Sequence, residues 1–221
     1  SDGVTDAKSS KVDVEVVYLN DKGERKTVRY ERSVKTGGVK QFGQVTAGGA
    51  KDEDDAGKSV TRAERYDLQE QFWDDFQIDI SASEDDFIDW TDYVEAYDFT
   101  YAEAAKQLNE KLKGDKKEKQ TVQIIFDVIK KHGVGDRPNA KTVDFGPKGY
   151  KILDYKKLDE FVSKTDLNAK FIKNQKRPGV SIQDQSGADF VIIRLYKGET
   201  KMTNMIERGP ALEKIIKVKE G

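Results

Sequence analysis

The sequence predicts an α+β fold, and three observations predict it. Residues 11–18 and 26–35 alternate apolar and polar side chains, the period of half-buried strands. Between residues 61 and 132, helix-start signals precede segments with helical spacing. From residue 141 onward short β-rich runs return, separated by Gly, Pro, Asn and Asp. Strands, then helices, then strands again argue for a core with a helical insertion rather than a regularly alternating α/β chain.

The elements follow in order. Residues 1–10 are small and polar and read as a loose lead-in. Val12, Val14 and Val16 share one face of the first strand, with Asp13 and Glu15 on the other. Asn20-Asp21-Lys22-Gly23 is a turn signal, and the next strand sets Val28, Tyr30 and Val34 against Glu31, Ser33 and Lys35. The two form a β-hairpin. Gly37-Gly38 breaks the second strand, and residues 39–46 are expected to start a helix, with Gly43 as its weak point. Residues 47–60 read as an acidic loop. Thr61, Ser83 and Thr100 each stand three residues before an acid, the capping-box form or a near variant, and mark three helix starts. Residues 114–119 are expected to be a charged connection, and residues 120–132 a fourth helix stopped by Gly133 and Gly135.

Strands are expected at 141–145, 150–155, 169–174, 180–185, 189–197 and 201–207, with a short helix at 156–163. The tail 211–219 reads equally as helix or strand. The predicted divisions are 1–60, a core hairpin and following helix; 61–135, an acidic helical insertion; and 136–221, a mainly β, basic region. Phe72, Trp73, Phe76, Phe87, Trp90, Tyr93, Tyr97 and Phe99 recur at helical spacing and are expected to pack between helices.

Composition removes several classes of chemistry. The 221 residues include no cysteine and one histidine, His132, which excludes disulfides, thiol nucleophiles and His- or Cys-rich metal sites. His132 precedes Gly133 and is expected to meet the last carbonyls of its helix. No apolar run approaches the ~20 residues that span a bilayer, and no signal peptide is visible. The chain begins with Ser, which suggests a fragment or a processed product. The net charge of -2 hides an asymmetry: residues 51–110 hold 5 basic and 19 acidic residues, whereas residues 111–221 hold 25 basic and 15 acidic. The two blocks face each other, or the basic block meets a polyanion while the acidic block meets solvent or a basic protein partner. In the basic block, Lys173-Asn174-Gln175-Lys176-Arg177 before Pro178-Gly179 reads as an exposed loop able to touch a phosphate backbone.

The residues that suggest chemistry lie on the hairpin. Asp13 and Glu15 occupy one polar strand face, Ser33 and Lys35 the other. A carboxylate beside a lysine at a strand end suits metal-assisted phosphodiester hydrolysis. The acid holds Mg²⁺ or Mn²⁺, and the lysine orients or deprotonates water or stabilises charge on phosphorus.

Asp13, followed by Ser33-Val34-Lys35-Thr36-Gly37-Gly38-Val39-Lys40-Gln41-Phe42-Gly43-Gln44, resembles the PD-(D/E)XK nuclease superfamily, the restriction-endonuclease-like fold. It looks most like the divergent phage-type branch with a Ser-X-Lys motif. The resemblance covers residues 8–46. It implies a restriction-endonuclease-like core, Asp13 as metal ligand, Lys35 as catalytic lysine and the Val34 carbonyl as a further ligand. It also implies that Gln41 and Gln44 lie on the helix after the hairpin, near the scissile phosphate. Ser33 replaces the first acid of the motif, so a second carboxylate must come from elsewhere: Glu15 first, then Glu31 or the acids at 52–55. Only 12 residues precede Asp13, so the helix that often opens this fold is missing or shortened.

The function expected is a Mg²⁺-dependent DNA nuclease. The resemblance suggests a phage-encoded protein in the host cytoplasm or the virion, gripping DNA through residues 111–221. The alternative is a non-enzymatic phage structural or interaction protein on a degenerate nuclease fold. A third reading is an acidic inhibitor or DNA mimic acting through residues 52–99.

Overall fold

The structure, a computed structural model, describes residues 14–49, 61–85, 93–113, 115–135, 137, 139–174 and 177–221. It is a mixed α+β protein, with two five-stranded sheets and four α-helices bounded among the described residues. The predicted hairpin forms. Strands β1 (Val14–Leu19) and β2 (Arg25–Thr36) run antiparallel, with Val14 opposite Arg32 and Glu15 opposite Glu31. The turn between them uses Gly23 at φ +75° and the Asn20 side chain, whose Oδ1 accepts from Lys22 and Glu24 amides at 3.1 and 2.9 Å.

The helix expected at 39–46 is a strand instead, β3 (Gln41–Gly49). It pairs antiparallel with β9 (Lys201–Arg208), Gln44 opposite Met205. Neighbouring surfaces select the extended form. Phe42 and Ala47 are buried, and Gly43 admits His132 so closely that a Cβ there would stand 2.9 Å from His132 Cβ. Gln41 and Gln44 are therefore strand residues.

Helix α1 (Arg62–Asp74) starts as predicted. Thr61 Oγ1 accepts from the Glu64 amide at 3.1 Å and Glu64 Oε2 accepts from the Thr61 amide at 2.7 Å, a complete capping box. At the second start signal helical backbone follows Ser83 at Glu84 and Asp85, as expected, whereas the third differs from expectation. Ser83 closes a 3-10 turn, its buried hydroxyl donating to the Ile80 carbonyl at 2.6 Å. Thr100 lies inside α2 (Tyr93–Leu112), where its hydroxyl donates back to the Ala96 carbonyl at 3.0 Å. The stretch expected to be a connection at 114–119 mostly belongs to α3 (Asp115–Val134), which ends at Gly135 with φ +62°.

Strands β4 (Lys141–Gly146), β5 (Gly149–Leu153), β6 (Leu167–Ile172), β7 (Gly179–Asp184), β8 (Asp189–Lys197) and β9 fall where the alternation placed them, and the short helix is a 3-10 segment, Tyr155–Glu160. The ambiguous tail is both things: α4 (Pro210–Ile216), then β10 (Lys217–Glu220).

Sheet one has the order β1-β2-β4-β5-β10. Its β2–β4 pair is parallel, joined by the whole span from β3 through α3. Sheet two, β3-β9-β8-β7-β6, is antiparallel throughout. Helices α1, α2 and α3 pack on it and share one core with both sheets. Phe72, Trp73, Phe76 and Tyr97 are buried there as expected, with Phe126 stacked on Phe190 at 5.3 Å. Phe87 and Trp90 lie outside the described residues. Among the described residues no helix is long and apolar enough to cross a membrane.

Candidate functional site

Parallel pairing brings the C-terminal ends of β2 and β4 to the same edge of sheet one. Ladder partners share a face, so two rows run across β2, β4 and β5: Ser33–Thr142–Leu153 and Lys35–Asp144–Lys151. The polar face read from the sequence thus turns inward at Ser33, which is 5 % exposed, and stays half-buried at Lys35.

Lys35 meets an acid that the sequence reading missed. Asp144 is 3 % exposed. Its Oδ2 accepts from Arg208 Nη2 at 3.0 Å and lies 3.5 Å from Lys151 Nζ. Arg208 comes from the end of β9 in the other sheet. It also donates to the Val39 carbonyl at 3.1 Å, and its Nε stands 3.4 Å from Glu213 Oε1 on α4. Lys151 Nζ donates to Glu213 Oε2 at 2.6 Å. Two acids and two bases form a neutral quartet, and Arg208 anchors it from sheet two.

Tyr155 is buried beside the quartet. Burial raises its hydroxyl pKa, and the Arg208 guanidinium opposes that shift. Asp144 Oδ1 is buried and accepts no hydrogen bond from the described residues. Beside it lies a cleft of about 320 Å³, lined by Gly38, Asp144, Gly146, Lys148, Tyr150 and Lys151 among others. Gly37 and Gly38, both at positive φ, turn the chain away at the end of β2, and the Gly37 amide donates to the Phe145 carbonyl at 3.1 Å.

The other predicted site residues are spread more widely. Asp13 and the acids at 52–55 lie outside the described residues. Glu15 is placed by its backbone opposite Glu31, four residues before Lys35 on β2, or about 13 Å along the strand. Gln44 sits on β3 in sheet two, on a different sheet from Lys35. His132 falls in the last turn of α3 as expected and is buried against Gly43. Among the described residues no three Asp, Glu or His side chains converge on a metal-binding position.

One signal pointed toward Asp144: the run Lys141-Thr-Val-Asp-Phe145 alternates, with Thr142 and Asp144 sharing a face. Nothing in the sequence paired that face with Arg208, 64 residues on. Comparisons with protein-family models, curated proteins and solved structures gave no match.

Proposed function

We propose that this chain is a Mg²⁺-dependent DNA nuclease on a restriction-endonuclease-like core, with Lys35 as its lysine and Asp144 as its second acid. One observation carries the reading: Lys35 and Asp144 stand in register at the carboxyl ends of two parallel strands, beside a cleft. Open sheets with parallel strands bind ligands at that edge, where a crossover leaves a crevice. Ser33 lacks the carboxylate that the motif needs, and the neighbouring strand brings one two residues further along.

Arg208 and Lys151 hold Asp144 Oδ2 in place, and the buried Oδ1, which accepts no hydrogen bond from the described residues, is the oxygen we assign to a cation. That single oxygen is too few donors for Mg²⁺, so the proposal also needs Asp13. The metal would supply Lewis-acid stabilisation of the phosphorane-like charge. Lys35 orients or deprotonates the attacking water, and Lys148 adds positive charge at the rim.

A second reading, a non-enzymatic interaction protein on the same fold, is favoured by the quartet itself. Asp144 and Glu213 are matched by Arg208 and Lys151, a complete structural clamp without any metal.

Supercoiled plasmid separates the two. The nuclease reading expects nicking that needs Mg²⁺ or Mn²⁺ and falls about 100-fold or more in Lys35→Ala, Asp144→Asn and Asp13→Ala. Thermal unfolding of each variant checks that the fold survives. No cleavage by the folded parent chain, with either metal, sinks the nuclease and leaves the interaction protein.

A further inference from the structure

Sheet two buries one face under α1, α2 and α3; on the other, Lys170, Gln44, Thr46 and Tyr196 are exposed, while Ser181, Ile192 and Thr203 between them are buried. Register identifies this second face as three rows. Lys170, Ser181, Ile192, Glu207 and Gln41 form the first; Ile172, Gly179, Arg194, Met205 and Gln44 the second; Tyr196, Thr203 and Thr46 the third. The intervening rows hold Val180, Ile182, Val191, Ile193, Leu195 and Ile206, all buried in the core. Five strands at ~4.8 Å spacing make this platform about 19 Å wide.

Its chemistry is aromatic and cationic. Tyr196 is a large ring left 39 % exposed on a sheet surface. The Arg177 guanidinium carbon stands 5.6 Å from its centroid. Pro178, next to Arg177, is held against β8, because the Leu195 amide donates to its carbonyl at 3.0 Å. Arg194 stands 3.8 Å from Glu207, and Lys170 and Lys201 are exposed on this side of the sheet. Glu199 in the β8–β9 turn is an exposed acid at this end of the sheet, and Lys173 at the end of β6 acts on Asp98 of α2 instead. Gln44 and Thr46 add exposed hydrogen-bonding groups at the β3 edge.

We propose that this face of sheet two, centred on Tyr196 and Arg177, binds single-stranded nucleic acid. Charge complementarity selects a polyanion. The exposed ring selects a strand whose bases are unstacked, because a duplex hides its base faces from a flat sheet. Cations around the ring meet phosphates while the ring accepts a base. The surface stands on another sheet from Lys35, and the proposal holds whether or not that site cleaves.

The test is fluorescence anisotropy with labelled fifteen-nucleotide oligothymidylate and oligouridylate, in EDTA so that no hydrolysis occurs. Binding is expected to weaken with salt, with a log–log slope of about 0.7 per phosphate contacted. Tyr196→Ala and Arg177→Gln are each expected to lose affinity on the order of tenfold, and Tyr196→Phe to keep it. Lys106→Gln, a 65 % exposed lysine on α2, is the charge-matched control and should bind like the parent. Preference for either sugar identifies the polynucleotide and upholds the platform. Binding by Tyr196→Ala within about twofold of the parent, or equal binding of a duplex, overturns it.

Discussion

The two sheets have the same number of strands and opposite ways of holding together. Sheet two has a conventional interior: Val180, Ile193, Leu195 and Ile206 meet Trp73, Tyr101, Leu108 and Phe126 from the helices. Its stability scales with apolar area removed from water. Sheet one turns Ser33, Thr142 and Asp144 inward beside Leu153, and the quartet around Arg208 adds an ionic link to sheet two. The difference teaches where each sheet is vulnerable. An apolar interior loses stability in proportion to the volume removed. A buried ionic clamp fails sharply when one partner is removed, because the remaining charges are already out of water. It also explains why chemistry is sought at sheet one, where polar groups are held in fixed positions.

The largest expected effect breaks the clamp. Arg208→Ala leaves the buried Asp144 and the half-buried Glu213 with Lys151 as their remaining cation in the quartet, and should cost about 3–5 kcal/mol in urea denaturation. A loss under about 1 kcal/mol, the usual size for an exposed pair, would show that water reaches the quartet and that the two sheets are held alike.

A smaller effect is expected in sheet two. Gly43→Ala places a methyl 2.9 Å from His132 Cβ, so α3 must move off β3. The cost should be about 1–3 kcal/mol, and unchanged stability would show that this contact is loose.

The smallest effect is a pH dependence at the β7–β8 turn. Asp184 accepts from Ser186 Oγ at 2.6 Å and from the Ser186 and Ala188 amides, each at 3.0 Å. These bonds, that from the Ser186 hydroxyl first, hold its pKa below the usual carboxylate value. A lowered folded pKa stabilises above the unfolded value of about 4 and loses that contribution as pH falls through the folded one. The gap in Tm between parent and Asp184→Asn should therefore be full at pH 6 and narrow as pH falls below the ordinary carboxylate value of about 4. A gap that does not change with pH would remove the carboxylate's charge from the explanation.

Much of the fold was legible because its signals are local. Alternation marked eight of the ten described strands within a few residues, the tail that holds β10 was ambiguous, and Thr61 with Glu64 marked α1 from four positions. The strand that was missed, β3, shows the limit. Its glycines and glutamines carry weak local preference, and its conformation follows from a partner strand about 160 residues away and from His132 behind it. Thr100 misled for a related reason, since a threonine-x-x-glutamate run is equally compatible with a helix interior once the hydroxyl bonds back to Ala96.

By itself the sequence determined the mixed α+β class, most elements, the excluded chemistries and the presence of Ser33 and Lys35 on one strand face. These depend on composition and on periods of two or a few residues. The tertiary structure alone decided which strands are neighbours. It set β4 parallel to β2, opposed Asp144 to Lys35, drew Arg208 across from the second sheet and left Tyr196 exposed on a sheet face. The physical reason is that register between distant strands is set by burial of a whole face and by contacts made only after collapse, and no short window of sequence contains either.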